Sequence, residues 1–264
     1  MKVIDMHLHL DETVKGDSKV ALDILSREMI KEGISKGLLL HLNTHPVTKL
    51  EARFHFEDLG RELEQYKNIF GFININPMDK DAGFQLERGV TKFNYKGLKL
   101  HPRLNEYRAD HPKVKKLFKK AYELGVPTLV DAFPDGDSLL LGFDVSQYGR
   151  LALSCPDAPL IVAHFGGHRV IDMMLVAKRV PNIYLNISYT LLYYRDSSIT
   201  GDIVYAIKSM KGERIFYGSD YPDRELGKTL KLTLDVFDKF NLTDDLIEKV
   251  LYKNAEKFIT DFIK

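Results

Sequence analysis

Short runs of apolar residues, rich in Val, Ile, Leu and Phe, recur along the chain at nearly regular intervals. The eight runs occupy residues 3–8, 37–42, 69–75, 96–101, 127–131, 160–164, 182–187 and 214–219. Their starts are mostly separated by about 30 residues, which is the length that one strand and its following helix need in a parallel sheet. The pattern therefore predicts a repeated strand and helix order.

The segments between these runs place apolar residues near a 3.6-residue period, which is typical of amphipathic helices. The clearest are residues 19–33, 112–125 and 167–180, and the tail after Asn241 predicts closing helices. Strands that are apolar almost throughout suit a sheet that helices cover on both faces. Eight such units predict an α/β protein, a single-domain (β/α)8 TIM barrel over residues 1–264, with a doubly wound open sheet as the second choice.

Composition and charge limit which ligands and binding partners the protein is expected to have. Lys and Arg number 38 against 37 Asp and Glu, which gives a net charge of +1. The chain therefore lacks the excess of basic residues that is typical of proteins that bind nucleic acid. The single cysteine, Cys155, excludes an internal disulfide and a zinc site built on several thiolates. The apolar stretch in the first residues is far too short for the hydrophobic core of a signal peptide, and no 18 apolar residues follow one another without a break. We therefore expect a cytoplasmic protein that binds neither nucleic acid nor membranes, and whose metal ligands, if any, are His, Asp or Glu.

Polar residues stand at the ends of several runs, where the catalytic residues of such barrels lie. They are His7 and His9 at the end of the first run, Lys99 and His101 at the fourth, Asp131 at the fifth, His164 at the sixth and Asp220 after the eighth. Residues two apart in an extended chain point the same way, so the two histidines of the first run can share one ion. The first and last strands of a closed barrel are neighbours, which would bring Asp220 beside that pair.

This arrangement predicts a divalent ion that lowers the pKa of bound water and polarises a carbonyl group. Asp220 could bind the ion and also accept a proton from that water. His164, which precedes Phe165 and two glycines that open the next helix, could act as a general acid and base. Structural roles stay open for both residues, because Asp220 could cap the following helix and His164 could bond to backbone beneath its loop.

Six motifs, in chain order, resemble the amidohydrolase superfamily. They are V-I-D-M-H-L-H at 3–9, G-L-K-L-H-P at 97–102, V-A-H-F-G-G at 162–167, Y-L-N-I-S at 184–188, F-Y-G-S-D-Y-P at 216–222 and N-A-E-K-F at 254–258. The resemblance is strongest to amidohydrolase family 2, which includes aminocarboxymuconate-semialdehyde decarboxylase, aromatic-acid decarboxylases and lactonases. It implies that His7, His9 and Asp220 bind a metal ion and that His164 is the catalytic histidine.

The fifth run departs from the family pattern, which would place a further ligand histidine where this chain has Asp131. Aspartate can also bind a divalent ion. The predicted ligands are therefore His7, His9, Asp131 and Asp220, with one ion, zinc first and manganese or iron as alternatives. In a second arrangement His164 binds the ion, and Asp131 orients a water molecule or a histidine.

Lys99, His101 and Arg103 are predicted to bind substrate, and Arg103 is the best suited to a two-point contact with a carboxylate. A lysine at the end of the fourth strand can be carboxylated in two-metal members of the superfamily, so a second ion bridged by Lys99 is the less favoured alternative. Surface or loop roles are expected for three other histidines, His41, His45 and His55.

The function predicted first is hydrolysis of a small carbonyl compound, a lactone, an amide or similar. The main alternative is non-oxidative decarboxylation of a small unsaturated or aromatic acid, since the same residues could serve either reaction. A barrel that has lost catalysis and only binds a ligand, and a metal-independent lactonase, are further alternatives. The expected partner is a small-molecule substrate, and the resemblance allows a homodimer.

Overall fold

The predicted barrel is confirmed by a computed structural model, which describes residues 2–11, 14, 16–42 and 54–263. Eight parallel strands pair in chain order. They are β1 (Val3–Leu8), β2 (Ile34–Leu40), β3 (Ile69–Asn74), β4 (Gly97–Leu100), β5 (Thr128–Val130), β6 (Leu160–Val162), β7 (Ile183–Asn186) and β8 (Ile215–Phe216). The end of β8 returns to β1, where the backbone N–H of Met6 donates to the Tyr217 carbonyl at 3.0 Å.

Helices surround the sheet. They are α1 (Ser18–Lys31), α2 (Phe56–Leu63), α3 (Ala82–Lys92), α4 (Pro112–Glu123), α5 (Gly136–Leu140), α6 (Ser146–Leu153), α7 (Val170–Arg179), α8 (Thr190–Tyr193), α9 (Ile199–Ser209), α10 (Leu226–Lys239), α11 (Asp244–Glu248) and α12 (Asn254–Phe262). Lys249–Lys253 forms a π-helical turn between the last two. Among the described residues, no helix is both long and apolar enough to cross a membrane.

The helix bounds follow local chemistry. The Asp17 side chain accepts a hydrogen bond from the Val20 N–H and so caps α1, while Pro112 occupies the first turn of α4. The helix expected from residue 167 begins instead at Val170. The four residues from His164 to Gly167 have positive φ angles, which an α-helix does not accommodate.

Apolar side chains form two layers of core. One layer lies between the sheet and the surrounding helices. The inner layer fills the barrel with Ile4, Met6, Leu38, Leu40, Phe72, Leu129, Ile161, Ala163 and Phe216. Residues of α12, including Phe258 and Ile259, join the inner layer, so the predicted closing helix completes the interior.

A change of register in β1 turns the two histidines of the first strand toward the site. Ile4 and Met6 point into the barrel, whereas Leu8 belongs to the outer layer. Strict alternation would place all three on the same side of the sheet. The pairing of β1 with β2 shifts between Asp5 and Leu8, and this shift brings His7 to the inner face.

Candidate metal and acid-base site

Three potential metal ligands meet at the carboxyl ends of β1 and β8. Nε2 of His7 lies 3.1 Å from Oδ1 of Asp220, and Nε2 of His9 lies 3.5 Å from the same oxygen. One ligand atom from each of these residues lies within 4.8 Å of the others. Two ligands that are each about 2.0–2.1 Å from a tetrahedral ion are about 3.3 Å apart, so the two nitrogen to oxygen distances match such a site.

The hydrogen bonds of the imidazole rings also fit a metal ion. Nδ1 of His9 lies 2.8 Å from the Leu40 carbonyl oxygen. Because a carbonyl only accepts, this nitrogen carries a hydrogen, and in a neutral ring the lone pair of Nε2 then faces Asp220. A lone pair and a carboxylate oxygen repel each other unless a cation or a proton lies between them. Nδ1 of His7 contacts the Ser188 hydroxyl at 3.0 Å, which leaves its Nε2 available as a ligand.

Buried polar groups behind the site fix its backbone. The Asp5 carboxylate accepts hydrogen bonds from the N–H groups of His7 at 3.0 Å and Ser219 at 3.1 Å. Burial raises the pKa of Asp5 to about 7. The Asn186 side chain donates to the Met6 carbonyl at 3.0 Å. These bonds tie the ends of β1, β7 and β8 together around the ligands.

The charges at the ligands suit a cation. Burial alone would raise the pKa of Asp220, but neighbouring histidines, His7 first, outweigh it and hold that pKa below its usual value. Burial lowers the pKa of His7 well below its usual value. The site thus combines a carboxylate with a neutral imidazole, which are the protonation states that metal binding requires.

Asp131 and His164 form a second pair beside these ligands. Oδ2 of Asp131 lies 3.0 Å from Nε2 of His164, and Nε of Arg103 is 3.6 Å from the other carboxylate oxygen. Asp131 is buried, yet His101 and Arg103 hold its pKa well below its usual value against the effect of burial. The structure therefore brings Asp131 to His164, outside the group of His7, His9 and Asp220, and its role as a metal ligand stays a prediction.

Two residues take unusual backbone conformations at the mouth of the barrel. His164 has a φ angle of 60° and Asp220 one of 64°, in the left-handed region that residues other than glycine seldom adopt. Such conformations concentrate at functional sites because the surrounding structure must hold them in place. The Thr190 hydroxyl, for example, donates to the His164 carbonyl.

The three residues predicted to bind substrate lie near Asp131. Lys99 is almost fully buried, and burial lowers its pKa to about 8, although Asp131 and Asp220 favour its charged form. Nε2 of His101 lies 3.8 Å from Asp131, and burial lowers the pKa of His101 to about 3. Nη1 of Arg103 pairs with Asp135 at 3.0 Å.

Arg103 also lines a cavity of about 100 Å³ next to Asp131. Arg108, Tyr107 and Phe133 are among the other lining residues. Nε of Arg103 is buried and has no hydrogen-bond partner among the described residues. The lining thus combines two guanidinium groups and several aromatic rings with the carboxylates of Glu106 and Asp131, and its arginines suit a small acid.

Residue patterns missed part of the site. Ser188 contacts both His7 and His164, and the rings of Phe133 and Tyr189 lie within 5.8 Å and 6.3 Å of the His164 ring. A signal for Ser188 was present in the Y-L-N-I-S motif, because alternation places it on the same face of β7 as Asn186. No pattern in the sequence indicated the aromatic residues.

The other histidines differ in their surroundings. His41 lies in the connection after β2, which agrees with the expected loop role, but it is 7% exposed and bonds through Nε2 to the Phe54 carbonyl at 2.9 Å, so it is not a surface residue. His55 is exposed and precedes α2. His45 lies outside the described residues.

Comparison with solved structures supports the fold. An uncharacterized TIM-barrel protein from Bordetella bronchiseptica shares 19% identity with a TM-score of 0.79, over 99% of both chains. 2,6-Dihydroxybenzoate decarboxylase from Rhizobium shares 19% identity with a TM-score of 0.68, over 98% of this chain and 99% of that one. A probable 2-pyrone-4,6-dicarboxylic acid hydrolase from Acinetobacter baumannii, with citric acid bound, shares 14% identity with a TM-score of 0.68, over 98% and 100%.

No curated protein sequence matches this chain significantly. The amidohydrolase family model, that of family 2, matches residues 4–259, which is nearly the whole barrel. The resemblance of the six motifs is therefore confirmed by a match that spans all eight strands. The chain belongs to the amidohydrolase family.

Proposed function

We propose that this protein is a metal-dependent hydrolase of a small carbonyl substrate, a lactone, an amide or similar. The observation that carries the proposal is the meeting of ligand atoms from His7, His9 and Asp220 within 4.8 Å, beside the pair formed by Asp131 and His164. A divalent ion held there, zinc first with manganese or iron as alternatives, would lower the pKa of water and polarise the substrate carbonyl.

The acid and base roles follow from the positions of the two carboxylates. Asp220 accepts a proton from the attacking water as the water oxygen bonds to the carbonyl carbon. His164 gives a proton to the leaving oxygen or nitrogen as its bond to that carbon breaks, and Asp131 stabilises the protonated ring. Asp220 lies 3.1 Å from the His7 ring, and the His7 and His164 rings are 4.9 Å apart between centroids, so the two proton-transfer groups are near enough to act on one small substrate.

Substrate binding is assigned to Lys99, His101 and Arg103. Arg103 lines the cavity beside Asp131, where its guanidinium would pair with a substrate carboxylate. Lys99, buried and close enough to be influenced by Asp131 and Asp220, stabilises negative charge that develops on the carbonyl oxygen. His101 sits between these two, with Nδ1 accepting a hydrogen bond from the Leu104 N–H at 3.2 Å.

Non-oxidative decarboxylation is the second candidate. The observation that favours it is an arginine-lined cavity whose wall includes Phe133, the ring of which also packs against His164 and Tyr189. A flat unsaturated acid fits such surroundings. In that reaction the bond to the carboxyl carbon breaks, carbon dioxide leaves, and His164 donates a proton to the carbon left behind.

The test combines metal content with product analysis. Protein purified without chelator is analysed for bound metal as wild type, His9→Ala and His55→Ala, the last being an exposed histidine control. We expect about one equivalent of metal in wild type and His55→Ala, and little in His9→Ala. A panel of lactones, amides and unsaturated acids then distinguishes acid release by hydrolysis from release of carbon dioxide.

Each alternative gives a different result in this test. Lactone hydrolysis that persists in metal-free wild type and in His9→Ala would support a metal-independent lactonase. Bound metal without turnover of any substrate in the panel would support a barrel that only binds its ligand. Absence of metal from wild type together with absence of turnover would contradict the proposed function.

A further inference from the structure

One serine hydroxyl lies between a proposed metal ligand and the proposed catalytic histidine. Oγ of Ser188 is 3.0 Å from Nδ1 of His7 and 3.2 Å from Nδ1 of His164. Ser188 is fully buried, and its N–H donates to the Asn186 side-chain oxygen at 2.7 Å, which fixes its position. The hydroxyl is therefore held in contact with both imidazole rings.

The hydroxyl has one proton, so it can donate to only one of the two rings at a time. The other nitrogen of each ring faces a carboxylate. Nε2 of His7 faces Asp220 at 3.1 Å, and Nε2 of His164 faces Asp131 at 3.0 Å. When the Ser188 hydroxyl donates to one ring, the other ring therefore has to donate to Ser188 or do without this hydrogen bond.

Occupation of the metal site selects one arrangement. When Nε2 of His7 binds a cation, Nδ1 of the same ring carries the hydrogen and donates it to Ser188. The Ser188 proton is then available to Nδ1 of His164. The neutral His164 ring consequently carries its hydrogen on Nε2 and donates it to Asp131.

Without a cation the opposite arrangement becomes available, and it exchanges the hydrogen bond between His164 and Asp131 for one between His164 and the Ser188 carbonyl. His7 can then carry its hydrogen on Nε2 and donate it to Asp220, while its Nδ1 accepts the proton of Ser188. His164 in turn carries its hydrogen on Nδ1, which lies 3.1 Å from the Ser188 carbonyl oxygen. A neutral His164 then has no hydrogen on the nitrogen that faces Asp131.

We propose that Ser188 is a positioning residue that couples cation binding at His7 to the tautomer of His164. The proposal rests on the proposed function, because it takes His7 as a metal ligand and His164 as the group that transfers protons. Its consequence is that His164 presents a hydrogen on Nε2, paired with Asp131, when the metal site is filled. Binding of the ion thus favours the tautomer of His164 that donates its Nε2 hydrogen to Asp131.

The test measures metal affinity and the tautomer directly. Metal-free wild type, Ser188→Ala, Ser188→Cys and Ser18→Ala are titrated with Zn²⁺ against a competing chelator. Ser18 is the control because it is buried and its hydroxyl has no hydrogen-bond partner among the described residues. The same proteins, labelled with ¹⁵N-histidine, are compared by NMR with and without Zn²⁺, and a His164→Gln sample assigns the His164 signals.

We expect Ser188→Ala to bind Zn²⁺ about 10- to 100-fold more weakly, as is typical when a group that orients a ligand histidine is removed. Zn²⁺ should move the His164 hydrogen to Nε2 in wild type and Ser18→Ala, and fail to do so in Ser188→Ala. Ser188→Cys should be intermediate because a thiol is a weak donor. The cysteine variant, which keeps the side-chain shape, provides the comparison if thermal unfolding shows that the alanine variant does not fold.

The inference is overturned if Ser188→Ala and Ser188→Cys bind Zn²⁺ within about twofold of wild type and show the same tautomer change. A different result is expected if the proposed function itself is wrong. Wild type would then bind no Zn²⁺, and its His164 signals would not respond to the ion, before any variant is compared. That outcome removes the metal site and the coupling together.

Discussion

The carboxylate of Asp131 lies 3.0 Å from Nε2 of His164, so the ends of β5 and β6 meet in one acid-base pair. A carboxylate in this position orients the imidazole and stabilises its protonated form. Arg103 approaches the same carboxylate at 3.6 Å, which compensates its buried charge when the ring is neutral. The pair is therefore suited to holding and releasing a proton beside the proposed metal ligands.

Replacing Asp131 by Asn tests this pairing. Asn keeps the shape of the side chain but cannot stabilise a protonated His164, so we expect turnover to fall by about 10²-fold or more while metal content stays near wild type. Turnover and bound metal are measured on the same preparations, with Asp172→Asn, an exposed aspartate, as the control. Loss of metal in Asp131→Asn and its return in Asp131→His would show that residue 131 is a ligand instead.

The barrel was predictable because each strand and helix has a recognisable pattern of apolar residues within its own short segment of sequence. Each apolar run is buried on both faces by a layer of side chains, so the runs at 3–8, 96–101 and 160–164 stand out against the amphipathic helices between them. The residues at the ends of these runs, His7 among them, were predictable for the same reason. In a parallel barrel the carboxyl ends of all strands meet at one mouth.

The detailed geometry of the site depends on contacts that the sequence does not record. Strict alternation after Ile4 and Met6 would have turned His7 away from the interior, and only the shifted pairing of β1 corrects it. The left-handed backbone at His164 is held by tertiary hydrogen bonds and has no local signal. Asp131 is buried beside His164, but the choice between His164 and a metal ion as its partner depends on distances of a few ångströms.

Arg103 should recognise a substrate carboxylate. In Arg103→Lys the charge stays but the planar fork is lost, so we expect KM for an acidic substrate to rise by about 10- to 100-fold, with a smaller effect on kcat. The measurement compares the acid with its methyl ester in wild type, Arg103→Lys and the control Arg169→Lys, whose arginine pairs with Asp172. Equal rises in KM for acid and ester would contradict carboxylate recognition.

Acid should destabilise the protein partly through His41. Burial lowers the pKa of His41 to about 4, whereas an unfolded histidine has a pKa of about 6.5. Between these values the unfolded chain binds more protons than the folded one, so the free energy of unfolding falls as the pH falls from about 6.5 to 4. The stabilisation is complete above pH of about 6.5, and a shift of this size corresponds to roughly 3 kcal/mol.

Urea unfolding of wild type and His41→Gln across this pH range measures that contribution. Glutamine can still donate to the Phe54 carbonyl but does not titrate. We expect the difference in unfolding free energy between the two proteins to change by about 2–3 kcal/mol from pH 7 to pH 4, with wild type losing more. A difference that is constant with pH would show that the pKa of His41 is the same in the folded and the unfolded chain.

Gly218 should be required for the placement of His7. A Cβ atom at residue 218 would lie 2.7 Å from Cβ of His7, 2.9 Å from the Asn186 side-chain oxygen and 3.0 Å from Cβ of Ser188. These three side chains lie on buried backbone between β1, β7 and β8, so they have little room to move away. We expect Gly218→Ala to lower the free energy of unfolding by about 1–3 kcal/mol, as overpacking does in other cores.

The same substitution should weaken metal binding, because the displaced group is His7 itself. Gly83→Ala is the matched control, since a Cβ there would have no atom within 4 Å and the residue lies in α3. It should leave Zn²⁺ affinity unchanged and stability equal to wild type or higher by up to about 1 kcal/mol. Urea unfolding and Zn²⁺ titration of both variants separate the two effects. If Gly218→Ala loses stability but keeps wild-type Zn²⁺ affinity, then the ion does not depend on the position of His7, and the assignment of this histidine as a ligand fails.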